Sequence, residues 1–209
     1  MEIPNSSLSY ILLQRTKYSV AQKIAQNKFF SFSHQILLPL AIKAETFLRK
    51  NEIKKLYIKD MEEDLLSIQS HLPEQIHSVL DIGCGVGGIN ILISNKYDHK
   101  VDIYLLDKSE TDTSIHYGFE QTGSYYNSLS IAKEFLGMNG IPSKNIHTIE
   151  VPDDGKISLD RKIDLVISFI SWGFHYPVET YLTQVYDLLN PNGVMIIDVR
   201  KNTEGEKKI

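Results

Sequence analysis

Along residues 8–71 apolar positions return at helical spacing, and beyond Pro73 they gather into short β-rich runs separated by helical stretches. Ile36, Leu40, Ala44 and Phe47 keep that spacing, as do Leu65, Leu66, Ile68 and Leu72, with Lys and Glu between them. The first stretch therefore predicts several helices. The later runs, 78–82, 101–106, 146–151, 163–169 and 193–199, predict five strands, and 88–96, 127–139 and 178–189 predict the helices between them. Gly137, Gly140 and Pro142 supply a stop for the second of these helices, and Asn190-Pro191-Asn192-Gly193 does so for the third. Strands alternating with helices predict an α/β fold, a parallel sheet with helices on both faces. Residues 1–75 then form a helical N-terminal extension, a cap or an interface, ahead of a sheet-bearing domain at 76–209. The polar stretch 108–126 follows the second strand at the carboxyl edge, where open α/β sheets bind ligands. It reads either as a lid or substrate loop, or as a surface excursion without ligand contact.

Composition narrows the classes. With 209 residues, 42% hydrophobic and 23% charged, the chain suits one compact domain with a modest extension. A formal net charge of -4 supplies no basic field to draw it onto nucleic acid or an anionic membrane. The longest apolar stretch, 29–42, is interrupted by polar residues and Pro39 and is too short to cross a bilayer. Residues 1–10 lack the basic start and apolar run of a secretory signal. The lone Cys84 has no partner for an internal disulfide, which fits a reducing compartment, so a cytoplasmic protein is expected.

The candidate chemistry begins where the first strand runs into Asp81-Ile82-Gly83-Cys84-Gly85-Val86-Gly87-Gly88. Glycines there permit a tight turn and close approach to a ligand, and the following helix offers unpaired N–H groups. Gly83, Gly85 and Gly88 also satisfy the G-x-G-x-x-G spacing of dinucleotide binding, so spacing alone is ambiguous. Asp81 beside the turn favours a ligand bearing positive amino and sulfonium groups and repels a pyrophosphate. Asp107, ending the second strand, can accept both ribose hydroxyls, a need shared by NAD and S-adenosylmethionine. The bland readings are a backbone-capping carboxylate for Asp81 and a solvated loop charge for Asp107.

The order of segments resembles the class I S-adenosylmethionine-dependent methyltransferases. The matching motifs are V-L-D-I-G-C-G-V-G-G from Val79, the strand end Leu105-Leu106-Asp107, the run Ile163-Asp164-Leu165-Val166-Ile167-Ser168-Phe169, and Leu188-Leu189-Asn190-Pro191-Asn192-Gly193-Val194-Met195-Ile196-Ile197, together covering about 76–200. The resemblance implies a Rossmann-like sheet in the order 3-2-1-4-5 and S-adenosylmethionine as cofactor. It implies that Asp81, Gly83 and Gly85, with Cys84 in the same turn, line the methionine portion. Asp107, with Lys108 next to it, would hold the ribose, and Asp153 or Asp154 would meet the adenine amino group. The segment from Ser168 and Phe169 to Trp172 would pass beside the reactive methyl. The usual final helix and strands 6 and 7 have no counterpart in the hydrophilic tail 200–209. Either the sheet stops at five strands or the natural polypeptide is longer. The edge of the fifth strand would be covered by the N-terminal helices or by another subunit, so a homodimer is one expectation.

For the acceptor, Ser171-Trp172-Gly173-Phe174-His175-Tyr176-Pro177 leaves the fourth strand where an acceptor should lie. His175 is the first candidate general base and His116 the second, against a bland role in backbone hydrogen bonding. Trp172, Tyr176 and Tyr117 are candidates for substrate contact, with wall packing as the alternative. No Asp-Pro-Pro-Tyr-like segment, no cysteine outside the turn and no metal-ligand spacing is present, which argues against amino methylation of nucleic acid, pyrimidine C5 chemistry and metal-assisted catechol chemistry. A small-molecule hydroxyl remains, and 171–177 with Ile115-His116-Tyr117-Gly118-Phe119 is faintly similar to sugar O-methyltransferases. The rival readings are an NAD-dependent oxidoreductase and a non-catalytic nucleoside-binding module.

Overall fold

A computed structural model describes residues 1–25, 34–109, 127–152 and 154–199. Four helices come first: α1 (Leu8–Gln14), α2 (Val20–Ala25), α3 (His34–Leu48) and α4 (Lys50–Ile68). The alternating part follows as β1 (Ser78–Ile82), α5 (Gly88–Lys96), β2 (Asp102–Asp107), α6 (Leu129–Met138), β3 (Ile146–Glu150), β4 (Ile163–Ser168), α7 (Leu182–Leu188) and β5 (Leu189–Ile197). The strands form one parallel sheet in the order β3-β2-β1-β4-β5. That is the order implied by the resemblance.

Strand periodicity sorts the core into two layers. Val79, Ile103, Leu105, Leu165 and Ile167 join the layer built with α1, α4, α5 and α6. Leu80, Ile82, Tyr104, Leu106 and Val166 face the other way and pack with α7 and Trp172. All five residues of β1 are buried, as a central parallel strand covered on both faces requires. The sheet places β1 at the centre with β2 and β4 on either side, so the tops of these three strands converge on one carboxyl edge. No helix among the described residues is long and apolar enough to cross a membrane.

The last αβ unit departs from the sequence expectation. A helix over 178–189 was expected, but the segment opens with one tight turn at Val178–Thr180 and α7 is only seven residues long. The strand expected at 193–199 begins instead at Leu189. Asn190-Pro191-Asn192-Gly193 is taken up into the strand as an irregularity, with the pairing register shifting opposite Ile163 and Leu165. Two side-chain effects account for this. The Asn190 amide donates to Asp164 Oδ1 at 2.6 Å, fixing it against β4, and Asn192 adopts φ +69°, a conformation asparagine tolerates.

Candidate functional site

The glycine turn hangs from the tops of β1 and β2. Gly83 N–H donates to Leu106 O at 2.7 Å, and Gly87 N–H donates to Cys84 O at 2.9 Å, closing the turn before α5. Gly83 and Gly85 have φ of +71° and +54°, and a Cβ on Gly83 would stand 1.9 Å from Ser171 Oγ. At Gly85 the intruding Cβ would meet Gln14 Oε1 at 2.6 Å. Glycine is therefore favoured by the backbone conformation at both positions, and at Gly83 also by the short Ser171 side chain laid against it.

Asp81 is 2% exposed and lies under this turn, where the Asn90 amide of α5 donates to its Oδ2 at 2.5 Å. Burial pushes its carboxyl up to about 7, the Asn90 hydrogen bond opposes that, and the nearby Asp107 charge adds to it. Asp107 accepts Gly85 N–H at 2.8 Å and the Asn127 amide at 2.9 Å on one oxygen, and Lys108 N–H at 2.8 Å on the other. Burial raises it to about 6, against the pull of those three hydrogen bonds. Asn127 is 3% exposed, and its Oδ1 has no hydrogen-bond partner among the described residues. A buried acceptor in this position, beside the Asp107 carboxylate, is able to take a donor from a ligand. Burial raises the Cys84 thiol well above its ordinary range, as suits a packing residue rather than a nucleophile.

These groups open into a cavity of about 380 Å³, within the roughly 300–1,000 Å³ usual for small-molecule sites. Asp81, Gly83, Cys84, Gly85 and Asp107 line one part of it. Phe169, His175 and Tyr176 line another. The fold thus brings together eight residues singled out from sequence. The loop after β4 carries Ile170 at φ +55°, an outlier for a β-branched residue, with its N–H held by Asp198 Oδ2 at 3.3 Å. His175 is fixed through its backbone N–H, which donates to Ser171 O at 2.7 Å, and its ring meets Phe174 edge-on.

Four expectations are corrected. Trp172 does not reach the cavity: it is fully buried in the opposite core layer, and its indole N–H donates to Val178 O at 2.8 Å. Ser168 is also fully buried, donating to Ile82 O at 2.7 Å and accepting Trp172 N–H, so it ties β4 to β1 and turns the loop. Asp154 is exposed, bonded to Lys156 N–H and paired with the Lys156 ammonium at 3.5 Å, away from the cavity. Lys108 meets Asp107 through its backbone, and its side chain is not part of the cavity wall. Asp153, His116 and Tyr117 lie outside the described residues, as does most of the stretch proposed as a lid.

The helical half of the wall has no signature in the sequence. Gln14 and Arg15 from α1 and the residue after it, Tyr57 and Met61 from α4, and Asn127 before α6 all line the cavity. Gln14 Oε1 accepts Val86 N–H at 3.3 Å and the Tyr57 hydroxyl accepts Gly88 N–H at 3.2 Å. A cue existed only for Asn127, an amide just ahead of a helix at the sheet's ligand edge.

Such a sheet, with a glycine turn and carboxylates at neighbouring strand tops, defines a Rossmann-like fold suited to a nucleoside ligand. The family model described as a methyltransferase domain matches residues 46–207, and the chain belongs to that family, the class I S-adenosylmethionine-dependent methyltransferases. No curated protein sequence matches the chain. Among solved structures, StiE O-MT aligns with a TM-score of 0.55 at 17% identity, over 78% of this chain and 53% of that one. Coclaurine N-methyltransferase bound to N-methylheliamine and SAH aligns with a TM-score of 0.47 at 14% identity, over 67% of this chain and 34% of that one. A methyltransferase from Geobacter sulfurreducens in complex with S-adenosyl-L-homocysteine aligns at 0.45 and 18% identity, over 65% and 47%. At these identities the likeness is one of fold, and the chain spans between about a third and about a half of these solved chains.

Proposed function

We propose that the chain binds S-adenosylmethionine in this cavity and transfers its methyl group to a hydroxyl of a small molecule, a sugar being the favoured class. One observation carries the reading: His175 lines the same 380 Å³ cavity as Asp81, Gly83 and Asp107. When bound, S-adenosylmethionine supplies an electrophilic methyl group carried on a sulfonium. The residues present fit that molecule: Asp81 faces its ammonium, Asp107 accepts its ribose hydroxyls, and the orphaned Asn127 Oδ1 accepts a further donor. Two buried carboxylates oppose the pyrophosphate of a dinucleotide. His175 takes the proton of the acceptor hydroxyl, Tyr176 shapes the acceptor's side, and Phe169 excludes water near the transferred group. In the same reading residues 1–75 cap the cavity, the protein works in the cytoplasm, and the partly exposed β5 edge offers a homodimer contact.

The experiment is a thermal-shift comparison of S-adenosylmethionine, S-adenosylhomocysteine and NAD, followed by turnover of His175→Ala against a panel of sugar and aromatic alcohols. The expected result is a rise in melting point with the two sulfur compounds alone. His175→Ala should retain that binding while kcat falls by about 10²–10⁴, the range of general-base catalysis. Stabilisation by NAD alone overturns the cofactor reading, and unchanged turnover in His175→Ala removes the base.

A further inference from the structure

The loop that follows β4 turns on one strained residue. Ile170 holds φ +55°, a left-handed conformation that crowds a β-branched side chain against its own backbone. Glycine and asparagine take such a φ readily, yet the chain has isoleucine here, so the surroundings must impose it. The group that does so is Asp198, the residue after β5. Its Oδ2 accepts Ile170 N–H at 3.3 Å, its own N–H donates to Ser168 O at 2.9 Å, and its carbonyl oxygen would stand 2.6 Å from a Cβ on Gly173. The last two contacts belong to the backbone and survive truncation of the side chain. Only the first depends on the carboxylate, and among the described residues it is that carboxylate's one hydrogen bond. Burial, and after it the charge of Asp64, lifts the Asp198 carboxyl above its ordinary range, while Ile170 N–H and Arg15 pull the other way. A half-buried carboxylate with a single backbone partner contributes little to stability, and its use lies in where it puts that partner.

The neighbours of Ile170 carry the acceptor side of the cavity. Phe169 and Ser171 flank it, and both line the wall together with His175 and Tyr176. Ser171 O accepts the N–H groups of Phe174 at 3.0 Å, His175 at 2.7 Å and Tyr176 at 3.3 Å. The placement of His175 is thus referred to the carbonyl of the residue next to Ile170. Relaxing Ile170 to an ordinary φ rotates the peptide leading into Ser171, and that carbonyl moves with His175 attached. Resting on the methyltransferase reading above, we propose that Asp198 is a positioning residue for methyl transfer, holding Ile170 in its left-handed conformation and so setting His175 against the acceptor hydroxyl. Asp198 is not part of the cavity wall, so its effect falls on the rate of transfer rather than on affinity for the cofactor.

The test is a double-mutant cycle on Asp198→Ala and Ile170→Gly. Calorimetry with S-adenosylhomocysteine reads cofactor affinity, and turnover of the sugar and aromatic alcohol panel reads transfer. The NMR signals of the His175 ring, assigned by their loss in His175→Ala, read its position. Asp198→Ala alone should shift those signals and lower kcat about 10–100-fold, the scale of a misplacement of about 1 Å, with affinity for S-adenosylhomocysteine within about twofold. Asp198→Asn keeps an oxygen for Ile170 N–H and should stay within about threefold of wild-type kcat. In the Ile170→Gly background, measured against that single variant, Asp198→Ala should cost less than about threefold and leave the His175 signals in place, because glycine takes the left-handed φ unaided. The same loss in both backgrounds, or a loss of cofactor affinity as large as the loss of kcat, assigns Asp198 a general structural role. His175 signals unchanged in Asp198→Ala disconnect the two residues; each of these results overturns the proposal. Wild-type protein that binds no S-adenosylhomocysteine overturns the methyltransferase reading, and one that binds it but turns over nothing in the panel overturns the acceptor class. In both cases the NMR arm still decides whether Asp198 positions His175.

Discussion

If Asp81 must be ionised to face an ammonium, binding is coupled to proton release. Its carboxyl sits at about 7 because burial outweighs the Asn90 hydrogen bond, and the facing groups are Asp107 on β2, Asn90 on α5 and Tyr57 on α4. At pH 6.5 a group with that pKa is protonated about three-quarters of the time, so occupancy of the site expels about 0.75 proton from Asp81. Ionisation of Asp81 alone should make affinity fall about eightfold between pH 7.5 and pH 6, a window in which the ligand's α-amino group stays mostly charged. The sign follows from the direction of the shift: the ionised form is present above the raised pKa and is lost as pH falls through it. Calorimetry at pH 6.5 in two buffers of different ionisation enthalpy counts the protons directly. Asp81→Asn should lose most of both the proton release and the slope, leaving the smaller contribution of Asp107, whose carboxyl lies near 6. Wild-type binding without proton release at pH 6.5, or the same slope in Asp81→Asn, would refute the coupling.

The same shift makes the ligand-free fold bind a proton relative to the unfolded chain between about pH 4 and 7, so stability falls as pH rises through that window. Asp81→Asn should therefore raise Tm more at pH 8 than at pH 5, and a uniform gain would contradict it. Gly83→Ala should lower Tm by roughly 2–8 °C through its left-handed φ alone, because about 1–2 kcal/mol is spread over a chain of this size, with the Ser171 clash adding to it. Ser171→Gly in that background should recover only the part due to the clash, and full recovery would deny the backbone cost. Trp172→Phe should cost about 1–3 kcal/mol by leaving Val178 O unpaired, with KM for the acceptor unchanged because the indole lies in the far core layer. A shifted acceptor KM with unchanged stability would place Trp172 at the site after all. Asp107→Ala should weaken S-adenosylhomocysteine binding by about tenfold or more and leave the Asn127 amide and Gly85 N–H seeking new acceptors.

The central sheet could be read from the chain because its strands are short apolar runs whose ends fall at polar or glycine residues. β1 to β4 lie within a residue of the runs that predicted them. The fifth strand was displaced by a long-range contact: Asn190-Pro191-Asn192-Gly193 is good stop chemistry for a helix, yet the Asn190 amide reaches Asp164 on β4 and draws the segment into the sheet. Local propensity was overridden by a partner 26 residues away. Trp172 was misplaced for a related reason. After β4 the loop folds back through Trp172 N–H on Ser168 Oγ, which aims the indole across the sheet, and composition carries no sign of that reversal.

The site divides along the same line. Its anionic half follows from chain order, because Asp81 and Asp107 end adjacent parallel strands and the glycine turn springs from the first of them. Its donor half depends on how helices dock, and helical periodicity hides it. Ile53, Tyr57 and Met61 recur every four residues on α4 and are all buried, so the pattern classes all three as core. What separates Tyr57 from its neighbours is a hydroxyl that meets Gly88 N–H across the interface with α5. Arg15 is hidden likewise: Asp60 and Asp64, one turn apart on α4, read as a solvated face until α1 brings a guanidinium against them. A largely covered arginine placed between such carboxylates is costly unless several partners share it, which makes its position on the cavity wall more informative than its charge. The cavity thus lies at a joint between the helical and sheet-bearing parts of the chain, and each part contributes charged side chains to its wall.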